Sequence, residues 1–312
     1  WSRILAFSIL LLVARNIVQT EFAAIPPQMT VLVLTLGGPF LTLVIYARRI
    51  RHMLKMESDD QLLAVFVAQR WFWTIAAIIM ETVVGTAGIL VPPAGYLEGV
   101  RALCDKYGIV WIADEVMSGF GRTGEWFAFQ NWTAQPDLIT FAKGSNSGYV
   151  PVGGVVISGD IAATFNERVF PGGLTYSGHP LATASVVATI DAMREEKVVE
   201  NAKMIGESII GPTLRDWQER HPVVGDVRGL GVFWGIDLVA NRATREPIAP
   251  YGGTSQAMTD LVVEAKKRGL MPFTNFNRLH VVPPCIVSEA EAKEGLAILD
   301  EVLSIVDKHY AG

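Results

Sequence analysis

A layered α/β fold with a mostly parallel sheet, followed by a smaller α+β lobe, is predicted from three observations. Short uninterrupted apolar runs recur along the chain, the pattern of strands covered on both faces. Segments with apolar residues at helical spacing alternate with them, as in sheets wrapped by helices. Beyond about residue 220 the rhythm changes to glycine-punctuated strands and two closing helices. The 312 residues suffice for one large domain or two smaller ones, with ample core. The expected division is a hydrophobic segment over 1–73, part of a large domain over 74–219 and a small domain over 220–312.

The elements follow in order. Ile75–Met80 (IAAIIM) reads as a strand buried on both faces. Pro92-Pro93-Ala94-Gly95 is a loop. Tyr96–Tyr107 reads as a helix, with Leu97, Val100, Leu103 and Cys104 at helical spacing. Ile109–Ala113, Leu138–Phe141 and Val155–Ile157 are further strands. After His179-Pro180 a helix is expected over Leu181–Glu196, and then a connecting stretch. Val223–Leu238 reads as two strand-like pieces punctuated by Gly229, Gly231 and Gly235. Ser255–Arg268 reads as a helix ended by Gly269. Ser288 and Glu291 form a capping box for the closing helix. Its apolar face is Ala292, Leu296, Leu299, Val302, Leu303 and Val306.

Composition excludes several classes. The formal net charge is −5, which argues against wholesale nucleic-acid binding. The 2 cysteines, Cys104 and Cys285, cannot build a disulfide framework or a four-thiolate metal site. No metal centre is expected. The charge is uneven: residues 1–73 hold seven Lys/Arg and four Asp/Glu, and the acidic excess lies downstream. Met29–Ala47 is 19 residues without a charge, followed by Arg48, Arg49, Arg51 and Lys55. That is the length and flank of a membrane helix with a cytoplasmic end. Two other readings stand beside it: buried segments of a globular domain, turning at Gly37-Gly38-Pro39, or a misjoined stretch of another frame.

The chemistry concentrates at two strand ends. Asp114 and Glu115 follow the strand Ile109–Ala113, where open α/β sheets bind ligands. Lys143 closes the run Leu138–Ala142 and precedes a Gly-Ser-Asn loop. A lysine amine and a carboxylate at neighbouring strand ends suit pyridoxal 5′-phosphate (PLP). The amine holds the aldehyde, and the carboxylate keeps the pyridine nitrogen protonated so that the ring draws electrons. Val116 would supply an apolar plate against the ring.

Four segments carry a resemblance: ETVVGTAGILVPPAGYL (81–97), WIADEVMSGFGRTG (111–124), LITFAKGSNSGYVPVGGVV (138–156) and GGLTYSGHPLA (172–182). They resemble class III aminotransferases, fold-type-I PLP enzymes that include taurine–pyruvate and other ω-amino-acid transaminases. The resemblance runs from about Thr74 to the C-terminus. It implies a PLP-transferase-like fold, here a partial large domain with the small α+β lobe. It implies amino transfer from an ω-amino acid or amine to a 2-oxo acid such as pyruvate. By resemblance, Lys143 forms the imine and moves the proton, Asp114 pairs with the pyridinium, and Val116 packs under the ring. Thr175 would reach the phosphate of a neighbouring subunit's cofactor, which implies a homodimer. Gly121-Arg122-Thr123-Gly124 reads as a loop former.

Departures from the family pattern shape the substrate expectation. Met117 stands where a glutamine is usual, and Thr86 where many members carry a glutamate switch. The family's carboxylate-binding arginine usually lies three residues before a Pro-Pro pair; here that position is His280, with Arg278 two residues earlier. A bidentate clamp needs a guanidinium, so Arg278 or His280 is expected to read an acidic group in an adapted way. The upstream phosphate-binding turn and ring-stacking aromatic of the family find no counterpart in 1–73. A truncated, inactive or membrane-anchored remnant is therefore one alternative, and another PLP reaction on the same fold is a second. A cytoplasmic location is expected, with membrane association open through residues 29–47.

Overall fold

The computed structural model describes residues 77–312, which lie within one compact unit, Ile75–Gly312. The expected strand start at Ile75 and the apolar run Met29–Ala47 fall outside the described residues. Among the described residues, no helix is long and apolar enough to cross a membrane.

The first sheet has four strands in the order β1-β2-β3-β4. β1 is Ala77–Glu81, β2 Val110–Asp114, β3 Leu138–Phe141 and β4 Gly154–Ile157. β1 to β2 and β2 to β3 are parallel, and β4 closes the edge antiparallel to β3. Helix α1, Tyr96–Tyr107, makes the crossover between β1 and β2. It covers Trp111 with Leu97 and Cys104, all three fully buried. It ends at Gly108 in the left-handed conformation, as a glycine stop should.

The expectation of strands covered on both faces meets a correction here. Ile79 on β1 and Val155, Val156 and Ile157 on β4 are exposed. β2, flanked on both edges, is the strand whose Trp111 and Ala113 are fully buried. An apolar run marks β structure, but its cover depends on which other elements pack over it.

Beyond β4 come α2, Gly159–Ala163, and α3, Pro180–Glu195. The stretch read as a connection is instead helical almost throughout. α4, Val198–Ile205, passes through a π-helical turn over Gly206–Ile210 into α5, Gly211–Arg220. Gly206, Gly211 and Pro212 look like breakers in sequence. Pro212 sits in the first turn of α5, directly after the π-helical turn.

The second sheet holds β5, Val224–Leu230, β6, Phe233–Asn241, β8, Phe273–Asn275, and β9, Arg278–Val281, in the order β5-β6-β9-β8. β7, Glu246–Pro247, pairs with β6 off this path. One face packs on α5, on α6 (Gln256–Lys267) and on α7 (Glu289–Val306). Trp217, Ile236, Leu238, Leu261, Leu279 and Leu303 form the fully buried centre of that core. Ser288 and Glu291 make the expected reciprocal cap on α7.

Candidate functional site

Register brings the site together. Asp114, the last residue of β2, lies opposite Thr140 of β3 in the parallel ladder. One rung further, Glu115 N–H donates to the Thr140 carbonyl at 2.9 Å. Lys143 leaves β3 at that same end, opening a short 3₁₀ turn, Lys143–Ser145. Asp114, Val116 and Lys143 thus cluster at the C-terminal ends of two adjacent parallel strands, where α/β sheets bind ligands.

The polar groups there are poised differently. Asp114 Oδ1 accepts from Val116 N–H at 3.0 Å and from the Thr140 hydroxyl at 3.4 Å. Both bonds fall on the same oxygen, and Oδ2 has no partner among the described residues. The Lys143 side chain is exposed and forms no hydrogen bond or ion pair among the described residues. A carboxylate oxygen and an amine at one sheet end, both without a partner among the described residues, fit the nitrogen and the aldehyde of a pyridoxal group.

Glu115, which sequence reasoning left without a role, is 1% exposed. Its Oε1 accepts from the Thr82 hydroxyl at 2.7 Å and from Phe129 N–H at 3.0 Å. Its Oε2 accepts from the Ser118 hydroxyl at 2.7 Å and from Ala128 N–H at 2.9 Å. Nothing local in the sequence signals this, since three of the four donors are more than ten residues away.

Arg278 and His280 lie together on the second sheet. In antiparallel pairing, directly opposed residues share a face. Asp237 opposes Arg278, Gly235 opposes His280, and Arg228 opposes Gly235. These residues line the face away from the apolar core, and the turn after β1 docks on it. Arg228 Nε donates to the Gly88 carbonyl at 2.9 Å, and Asn275 Nδ2 to the Thr86 carbonyl at 3.2 Å. Gly235 is required by this approach: a Cβ there would stand 2.6 Å from the Gly88 oxygen. The same turn touches the first sheet's site segment, because a Cβ on Gly85 would meet the Met117 sulfur. Met117 itself packs beside Val83, Ile89, Ala128 and Phe233.

The two arginines differ. Arg228 is fully engaged, with the Gly88 carbonyl, Asp226 at 2.5 Å and Asp237 at 2.9 Å. Arg278 reaches Asp237 only at 3.8 Å, too far for a hydrogen bond, and among the described residues its guanidinium makes no hydrogen bond. His280 is 8% exposed, with Nε2 lacking a partner and the Phe273 ring edge-on at 5.0 Å. Burial holds its imidazole below the ordinary histidine range, Arg228 and Arg278 adding to the effect and Asp237 opposing it.

The remaining residues lie apart. Thr175 sits within the exposed stretch 166–181, and its hydroxyl has no partner among the described residues. The Gly121–Gly124 loop has both glycines at φ +85°. Its Arg122 donates to the Pro283 carbonyl at 2.6 Å. It is a structural joint to the segment that follows β9.

Similarity to known proteins accords with this geometry. A family model described as aminotransferase class-III matches residues 35–303, reaching upstream of Thr74 where the motif resemblance begins. Taurine–pyruvate aminotransferase of Bilophila wadsworthia is 36% identical over 250 residues, covering 76% of this chain and 53% of that protein. Putrescine–pyruvate aminotransferase of Pseudomonas aeruginosa is 44% identical over 182 residues, covering 57% of this chain and 39% of that one. Among solved structures, taurine:2-oxoglutarate aminotransferase of Bifidobacterium kashiwanohense, in complex with PLP and glutamate, superposes with a TM-score of 0.72 at 41% identity. That match covers 88% of this chain and 58% of the other. The chain spans about half the length of the taurine and 5-aminovalerate enzymes that it matches. Family match, shared fold and the paired strand ends carrying Asp114 and Lys143 lead to one conclusion: the chain belongs to the class-III aminotransferase family.

Proposed function

We propose that this chain carries the PLP-binding lysine and acid of a transaminase that moves an amino group from an ω-amino acid or amine to a 2-oxo acid such as pyruvate. The observation that carries the reading is the β2–β3 register, which sets Asp114 and Lys143 at one end of the same sheet. Bound PLP would supply an electron sink next to the substrate carbon. Lys143 Nζ anchors the cofactor and carries the transferred proton. Asp114 Oδ2 holds the proton on the ring nitrogen, and Val116 packs against the ring. Thr175, in its exposed stretch, is assigned to the phosphate of a second subunit's cofactor, so the working unit is a homodimer.

Arg278 is the group suited to the acidic end of the substrate, because its donors are uncommitted among the described residues. A carboxylate or sulfonate accepts from a guanidinium in two places. His280, buried and held neutral, shapes the pocket beside Arg278 rather than bringing charge. The names of the relatives, which act on taurine or putrescine with pyruvate, support an ω-amine donor.

The test is a titration of the purified chain with PLP, read by its visible absorption, followed by taurine or putrescine with pyruvate and detection of alanine. A bound-cofactor band that Lys143→Ala abolishes, and alanine formation that depends on it, are expected. An unchanged spectrum in Lys143→Ala overturns the assignment.

A further inference from the structure

We infer that Glu115 is a positioning residue for the cofactor platform, holding the backbone between Asp114 and Val116 from a fully buried post. The inference rests on the PLP reading of the two residues that flank it. Asp114 and Val116 are its immediate neighbours, and the bond from Val116 N–H to Asp114 Oδ1 exists only while the turn after β2 keeps its shape. Glu115 fastens that turn from three sides. Thr82, just after β1, donates from one side, Ser118 from within the turn, and the amides of Ala128 and Phe129 from the next turn.

Two carboxylate oxygens offer about four acceptor sites, and all are used. The Glu115 carbonyl also accepts from Gly119 N–H at 3.0 Å, closing the turn through the main chain. Meanwhile Glu115 N–H binds the Thr140 carbonyl, which fixes β2 against the strand that delivers Lys143. The side chain thus holds the acid end, while its amide holds the lysine strand in register. Removing one donor leaves a buried acceptor short, and such a loss falls on the geometry of its neighbours.

Thr82→Val removes one donor at nearly constant shape, and Thr82→Ser keeps it. Ser288→Ala, in the cap of α7, serves as a remote control that lowers stability without touching the platform. Two readouts are compared at a temperature where all variants are folded. The first is hydrogen exchange of the Val116, Ala128 and Phe129 amides in the PLP-free chain. Exchange about tenfold faster in Thr82→Val, with wild-type rates in Thr82→Ser and Ser288→Ala, is expected. Unchanged exchange at these amides in Thr82→Val overturns the inference. The second is the PLP dissociation constant, expected about tenfold weaker in Thr82→Val alone. Equal PLP affinity in Thr82→Val and wild type also overturns it. A wild-type chain that shows no PLP band while the amides loosen as expected refutes the PLP reading and the cofactor role together, leaving the clasp as scaffold.

Discussion

Arg228 donates from Nε to the carbonyl oxygen of Gly88 at 2.9 Å, and that bond ties the turn beside the candidate site to the polar face of the second sheet. The same guanidinium pairs with Asp226 and Asp237. Arg228→Met keeps much of the side-chain bulk but strands the Gly88 carbonyl and Asp237. The expected loss is about 2–4 kcal/mol of unfolding free energy, read as a lower urea midpoint. A midpoint equal to wild type would show that solvent replaces these bonds without penalty.

His280 should make stability depend on pH in a defined direction. Its folded-state pKa is lowered, chiefly by burial. As pH falls below the ordinary histidine value of about 6.5, the unfolded chain takes up a proton that folded His280 resists, and the folded state loses stability. His280→Gln removes that component. The stability of wild type relative to the variant should therefore decline between about pH 7.5 and 5.5, measured by denaturant unfolding at each pH. A constant difference across that window contradicts the assignment.

Leu303 is fully buried in the core between α7 and the second sheet. Leu303→Ala should cost about 2–5 kcal/mol through lost apolar contact and a residual cavity. Thermal unfolding of the two proteins side by side measures it. A loss under about 1 kcal/mol would mean that the core collapses around the truncated side chain.

Ser288 caps α7, accepting from Glu291 N–H at 3.3 Å while the Glu291 carboxylate takes the Ser288 amide at 2.9 Å. Ser288→Ala should cost about 1 kcal/mol, and Glu291→Ala a similar amount with no further loss in the double variant. Full additivity of the two would separate what the structure couples.

Much of this architecture was legible because its causes are local. The α7 cap, the glycine stop after α1 and the apolar face of α7 depend on residues within a few positions of one another. Asp114 and Lys143 were legible as well, since each closes an apolar strand with a polar residue and so marks a sheet end. The helical stretch 198–220 was not, because Gly206, Gly211 and Pro212 weaken the local helical pattern while packing on β6 and α7 stabilises it.

By itself the sequence determined the strand–helix alternation, the motif order and the residue types proposed to hold a pyridoxal group. Tertiary structure alone decided which of them meet. The parallel register joins Asp114 to the strand of Lys143, and cross-strand pairing sets Asp237 opposite Arg278 and Gly235 opposite His280 while Asp237 holds Arg228. The four donors of Glu115 come from segments far apart along the chain. Such contacts depend on chain reversals and on close packing in three dimensions, and a linear pattern of polarity has no term for either.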